Sequence, residues 1–185
     1  AIDFLRSNYH IPFIGIEPAI KPAALSTQTG KIAVLATKGT LSSTLFEKTS
    51  SIFRKDIQIK ETIGKGLVEL IEAGKLNSEE MTSLLSSYLK PMVASTIDSL
   101  VLGCTHYPYL IPQIRKIVGP QLQIIDSGEA VAKQTKAILN NHCLANSTEN
   151  KTPQHLIYTN KETAVLEDLL LNSMQQDINI IKADF

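Results

Sequence analysis

Cysteine, threonine and histidine stand side by side at Cys104-Thr105-His106, between Gly103 and the pair Tyr107-Pro108. A thiol beside an imidazole can move a proton or attack an electrophilic carbon. An ordinary cysteine, with a pKa of roughly 8.5, is only a few per cent thiolate at neutral pH, and a helix N-terminus or a neighbouring cation lowers that value. His106 is suited to be that neighbour, or a proton donor in its own right. The alternative is a buried cysteine acting as a small hydrophobe. Three successive hydrogen-bonding side chains would each need a partner in a packed core, so the cluster reads as a reactive site.

Such a site needs elements that hold it. Leu100-Val101-Leu102 is apolar and of strand length, and Gly103 after it permits a sharp turn. Further apolar runs of strand length occur at 11–16, 31–36, 56–59, 98–103 and 122–125, with two more near 155–158 and 178–182. Helical patterns separate them. The clearest is Met81, Leu84, Leu85, Tyr88, Leu89 and Met92, entered through Asn77 with Glu80 three residues on, and Pro91 is expected to kink or end it. Apolar strands alternating with helices imply an α/β fold, a parallel sheet covered on both faces in three layers. Ligands in such folds bind beyond the carboxyl ends of the strands, where Cys104 is expected to lie.

Composition narrows the partners. Eighteen basic and eighteen acidic residues cancel in a chain of 185, and no basic cluster marks a nucleic-acid surface. No apolar stretch reaches the roughly 18–20 residues that cross a bilayer, and the start lacks a signal-peptide pattern, so a cytoplasmic location is expected. Two cysteines in unlike contexts, Cys104 and Cys143, suit a reducing compartment. The scattered histidines and the lack of a C-x-x-C pair give no metal spacing. A polar stretch at 140–153 reads as a loop or linker, and the first six residues resemble a helix entered midway, as in a fragment.

Leu102-Gly103-Cys104-Thr105-His106-Tyr107-Pro108-Tyr109-Leu110 resembles the second cysteine motif of glutamate racemases, cofactor-independent enzymes of cell-wall precursor synthesis. The segment 11–24, with Gly15-Ile16-Glu17-Pro18, is similar to the one opening the family's second lobe, and Leu35-Ala36-Thr37-Lys38-Gly39-Thr40 also matches. Together these cover most of residues 1–140. Histidine after the threonine separates the motif from that of aspartate racemases, where glutamate is usual.

The resemblance implies a two-base mechanism. One thiolate removes the α-proton and a second thiol supplies one to the opposite face. Cys104 would be the cysteine that deprotonates L-glutamate, His106 its helper, and Thr105 and His106 would border the substrate. No cofactor or metal is implied. Partners reduce to L- or D-glutamate and, as an option left open, a second copy in a homodimer. The family's glycine-rich Asp-Ser motif, its Pro-Tyr-Gly turn and its first cysteine are not found in this sequence. The expected organisation is therefore a helix at 1–10 belonging to an incomplete first lobe, a complete second lobe at 11–125, and a return to the first lobe at 126–185. This chain alone is expected not to racemise.

Weaker candidates follow from the same comparison. Glu69 matches the place of an acidic residue implicated beside the histidine, although Thr62-Ile63-Gly64 departs from the usual cysteine-proline pattern; otherwise it is a solvated helical glutamate. Thr37 and Thr40 suit a carboxylate at a helix N-terminus, and Thr40 could instead be a plain cap. Asp126-Ser127-Gly128-Glu129 reads as a capping box. Two rival functions are kept in view, a non-catalytic two-lobed amino-acid-binding domain and a cysteine-nucleophile hydrolase using Cys104 and His106.

Overall fold

The computed structural model describes residues 2–146, 155–171 and 178–185. In chain order these form α1 (Ile2–Asn8), α2 (Ile20–Ser26), β1 (Lys31–Ala36), α3 (Lys38–Leu41), α4 (Thr44–Phe53) and β2 (Gln58–Ile63). Next come α5 (Leu67–Glu72), α6 (Glu79–Val93), β3 (Ser99–Gly103), a 3-10 turn at Tyr107–Leu110, α7 (Ile111–Val118) and β4 (Gln123–Ile125). The last are α8 (Gly128–Asn141), β5 (His155–Thr159), α9 (Thr163–Leu171) and β6 (Ile178–Lys182).

The first four strands form a parallel sheet in the order β2-β1-β3-β4. β1 and β3 are its centre because they are apolar almost throughout and buried on both faces. Alternate residues feed two cores. Ala33, Leu35, Leu100 and Leu102 meet α5, α6 and α7, whereas Ile32, Val34, Ala36 and Val101 meet Ile20 and Ala23 of α2 and Phe46 of α4. The α/β three-layer architecture expected from the sequence is thus the one observed. The α6 stripe buries Met81, Leu85, Leu89 and Met92 fully, each side chain contributing roughly 1.5–3 kcal/mol.

Several local expectations give way. The 11–16 run forms no strand: Pro12 lies within it and Pro18 follows it, and Ile11 and Ile16 remain 63% and 53% exposed beside no ladder. The run at 56–59 pairs only from Gln58, because Asp56 and Ile57 still donate to the Phe53 carbonyl and close α4. α6 is capped by Ser78, whose hydroxyl accepts from the Met81 amide, while Asn77 accepts instead from Gln113 at 2.6 Å. Pro91 falls within the last turn of α6, which ends at Val93. The stretch 140–153 begins as the end of α8, and its residues 147–153 lie outside those described.

β5 and β6 pair in parallel as a separate two-stranded sheet. β5 leaves Leu156 and Tyr158 about half exposed, and α8 buries none of its residues.

Asp98 anchors the loop that precedes β1. Its carboxylate accepts from Thr27 Oγ1 at 2.7 Å, Gln28 N at 2.6 Å and Thr29 N at 2.8 Å. Burial alone would raise this carboxyl, but the donors from Thr29, Thr27 and Gln28 together outweigh it and hold its pKa at about 2. A depressed folded pKa gives stability that is fully present above the unfolded value of roughly 3.9 and is lost as pH falls toward 2. Asp98→Asn is therefore expected to cost about 1–2 kcal/mol at neutral pH, after allowance for partial exposure, and nearly nothing near pH 2. Urea unfolding at both pH values checks this, and an equal loss at both would refute it.

Candidate active site

β1 and β3 are neighbours with Ala36 opposite Gly103, and β2 lies on the far side of β1. The connections after β1 and β3 therefore diverge, and a crevice opens at this switch in strand order. Gly103 serves close packing rather than a turn. A Cβ there would sit 2.7 Å from that of Ala36, and its φ is not in the left-handed range.

Cys104 follows as the first residue off β3 and is half-buried. It lines a pocket of about 390 Å³ with Thr37, Thr40, Thr105 and Asp126. Burial raises the Cys104 thiol above its ordinary value. The amides of His106 and Tyr107, turned toward the sulfur, oppose this without reversing it. Burial thus outweighs the lowering that a helix N-terminus or a neighbouring cation could supply, and the neutral thiol is favoured. α7 starts only at Ile111, so no α-helix begins directly after Cys104.

His106 stands behind the thiol, outside the pocket lining, with Nδ1 3.9 Å from Cys104 Sγ. Its Nε2 lies 3.3 Å from Oε1 of Glu72. Glu69, the acid selected from the sequence, is exposed in the first turn of α5 and lines no part of the pocket. Both acids project from the outer face of α5, whose inner face buries Leu67, Leu70 and Ile71, and it is Glu72 at the helix end that reaches the imidazole. Gly66, at φ 87°, makes the left-handed entry to this short helix. Beneath the site Tyr107 is fully buried and donates to the Gly64 carbonyl at 3.0 Å. Burial pushes its phenol far up, so it remains neutral. A Cβ on Gly64 would meet the Tyr107 oxygen at 2.4 Å, which accounts for glycine there.

A family model described as Asp/Glu/Hydantoin racemase matches residues 1–135. The chain belongs to this racemase family. Among curated relatives, glutamate racemase of Herpetosiphon aurantiacus is 42% identical over 139 residues, 75% of this chain and 55% of that protein. Glutamate racemase of Pseudomonas putida KT2440 is 47% identical over 140 residues, 75% of this chain and 53% of that protein. The chain spans about half the length of the curated relatives it matches. Among solved structures, Escherichia coli glutamate racemase in complex with L-glutamate and the activator UDP-MurNAc-Ala superposes with a TM-score of 0.78 at 25% identity, covering 100% of this chain and 70% of that one. The RacE1 isoform from Bacillus anthracis gives 0.77 at 28% identity, covering 100% and 69%.

Thr37 is the cap of α3, where the sequence also allowed Thr40. Its hydroxyl accepts from Thr40 N at 3.2 Å and sits 3.0 Å from the Thr40 hydroxyl. Both threonines face the pocket, as does Thr105. Sequence reasoning missed four further lining residues, Glu17, Asp126, Ser127 and Gly128. The Asp126 carboxylate accepts from Gly128 N at 2.6 Å, and the Ser127 hydroxyl donates to the Glu17 carbonyl instead of capping α8, so the expected capping box does not form. The pocket is thus lined by threonine hydroxyls and by two acidic residues, Glu17 and Asp126, which suits a zwitterion. Cys143 is exposed and apart from the lining residues. Among the described residues no group of His, Cys, Asp and Glu could hold a metal ion, and no helix is long and apolar enough to cross a membrane.

Proposed function

We propose that the protein containing this chain interconverts L- and D-glutamate without a cofactor, in the cytoplasm, and supplies D-glutamate for peptidoglycan precursors. One observation carries the reading: a resting thiol at the end of β3 opens into a pocket suited to an amino acid, with a His106–Glu72 pair directly behind it. Named relatives at 42% and 47% identity support the choice of glutamate.

Because burial keeps Cys104 protonated, its thiolate must be made by transfer to His106 Nδ1. Glu72 stabilises the imidazolium that results. The Cys104 thiolate then takes the α-hydrogen of L-glutamate as a proton, leaving the electron pair on the α-carbon. A second thiol on the opposite face gives up a proton to that carbon. Thr37, Thr40 and Thr105 bind the substrate carboxylates, and the acidic residues Glu17 and Asp126 receive the ammonium group. We place Glu72 in the supporting role that the sequence suggested for Glu69. The described part of 126–185 pairs its strands only with each other, which supports its assignment to a first lobe apart from 11–125. With one thiol at the pocket, the 185 residues alone are proposed not to racemise.

Alkylation tests the reading. In the whole protein glutamate is expected to slow modification of Cys104 by iodoacetamide, read by peptide mass spectrometry. Equal rates with and without glutamate would overturn the assignment.

A further inference from the structure

Lys161 lies just after β5, 89 residues from Glu72 in sequence, yet its Nζ is 3.1 Å from Glu72 Oε2. The other oxygen of that carboxylate faces His106 Nε2 at 3.3 Å. We propose that Lys161 is a positioning residue for the thiol relay: by holding Oε2 of Glu72 it fixes Oε1 against His106 Nε2 and keeps Nδ1 turned toward Cys104. The inference rests on the racemase reading and adds to it a residue that never meets substrate.

The argument begins from the freedom of a glutamate on a helix end. Glu72 is 46% exposed and is the last residue of α5, so its side chain has several rotamers open to it. A carboxylate engaged at one oxygen by a cation and at the other by an imidazole keeps one of them. It accepts from Nε2–H, which leaves the lone pair of Nδ1 for the Cys104 proton. Among the described residues, His106 and Lys161 are the groups whose charge and hydrogen bonds act on Glu72, and Lys161 is the stronger in lowering its pKa. Lys161 itself is 74% exposed, so the pair adds little to stability, and the effect falls on orientation. The contact also ties the relay on residues 11–125 to the C-terminal part of the chain.

The test compares Lys161→Met, which keeps the aliphatic stem, with Lys161→Arg in the whole protein. Lys161→Met is expected to lower kcat for exchange of the glutamate α-hydrogen by about three- to ten-fold while leaving KM nearly unchanged, and Lys161→Arg is expected to restore it. By 13C NMR the Glu72 carboxyl of the Met variant is expected to titrate higher, nearer the ordinary carboxylate range, and the acid side of the pH profile moves up with it. An unchanged Glu72 titration, an unchanged kcat, or a rise in KM in place of the fall in kcat would each overturn the proposal. The titration reads the pair without turnover. Wild-type protein that exchanged no glutamate would sink the racemase reading, and the titration would still decide whether Lys161 holds Glu72.

Discussion

Cys104→Ser is expected to lower exchange of the α-hydrogen of L-glutamate with deuterated water by on the order of a thousand-fold or more in the whole protein. The α-proton of an amino acid is a far weaker acid than a thiol, so the base that removes it must already be an anion held against the carbon. A serine hydroxyl in the same place is much harder to ionise, and burial, which already raises the thiol, would oppose the alkoxide as well. The fold is not at stake. Serine is the smaller isostere of cysteine and introduces no clash, the side chain is only half-buried, and the turn after β3 is held by the amide of Tyr107 donating to the Cys104 carbonyl at 3.2 Å. Loss of the α-proton signal by 1H NMR gives the rate. Exchange within ten-fold of wild type would remove Cys104 from the mechanism.

What the sequence made legible were the elements whose burial is uniform. β1 and β3 read directly because every residue from Ile32 to Ala36 and from Ser99 to Gly103 faces one core or the other. β2 is an edge strand with Lys60 and Glu61 in its middle, so its pattern is blurred and its start was placed two residues early. The run at 11–16 misleads for the opposite reason: Ile16 with Glu17 and Pro18 walls the pocket, so apolar residues there serve a cavity and not a ladder. Cys104, Thr105 and Thr37 were found because they follow directly on readable strands, and Thr40 because it stands in the first turn of the helix that comes next. Glu69 and Glu72 share one helical face, and only the distance to His106 separates them. The match to the family pattern selected Glu69, and the spacing from the buried Leu67, Leu70 and Ile71 makes both acids equally outward, so it could not correct that choice. Asp126 to Gly128 have the chemistry of a helix cap whether or not a pocket lies in front of them. Lys161 depends on a contact across 89 residues that carries no local signal.

Replacing His106 by asparagine is expected to reduce the same exchange by about 100- to 10,000-fold, the range for loss of a positioned general base, with a much smaller change in KM. The choice of asparagine separates proton transfer from structure. His106 stands at the head of the 3-10 turn, but its side chain makes no cap bond there, so the turn keeps its backbone bonds in the variant. An amide can sit near the position of Nδ1 and hydrogen-bond to the sulfur, yet it cannot accept the thiol proton. Because burial holds Cys104 as a thiol, removing the base should also slow alkylation of Cys104 in the absence of any substrate. That second measurement distinguishes two origins of the lost activity. Slow exchange with slow alkylation places His106 in making the thiolate. Slow exchange with wild-type alkylation would leave the thiolate to be formed by other means and confine His106 to contact with the substrate, a role its position behind Cys104 and outside the pocket lining argues against.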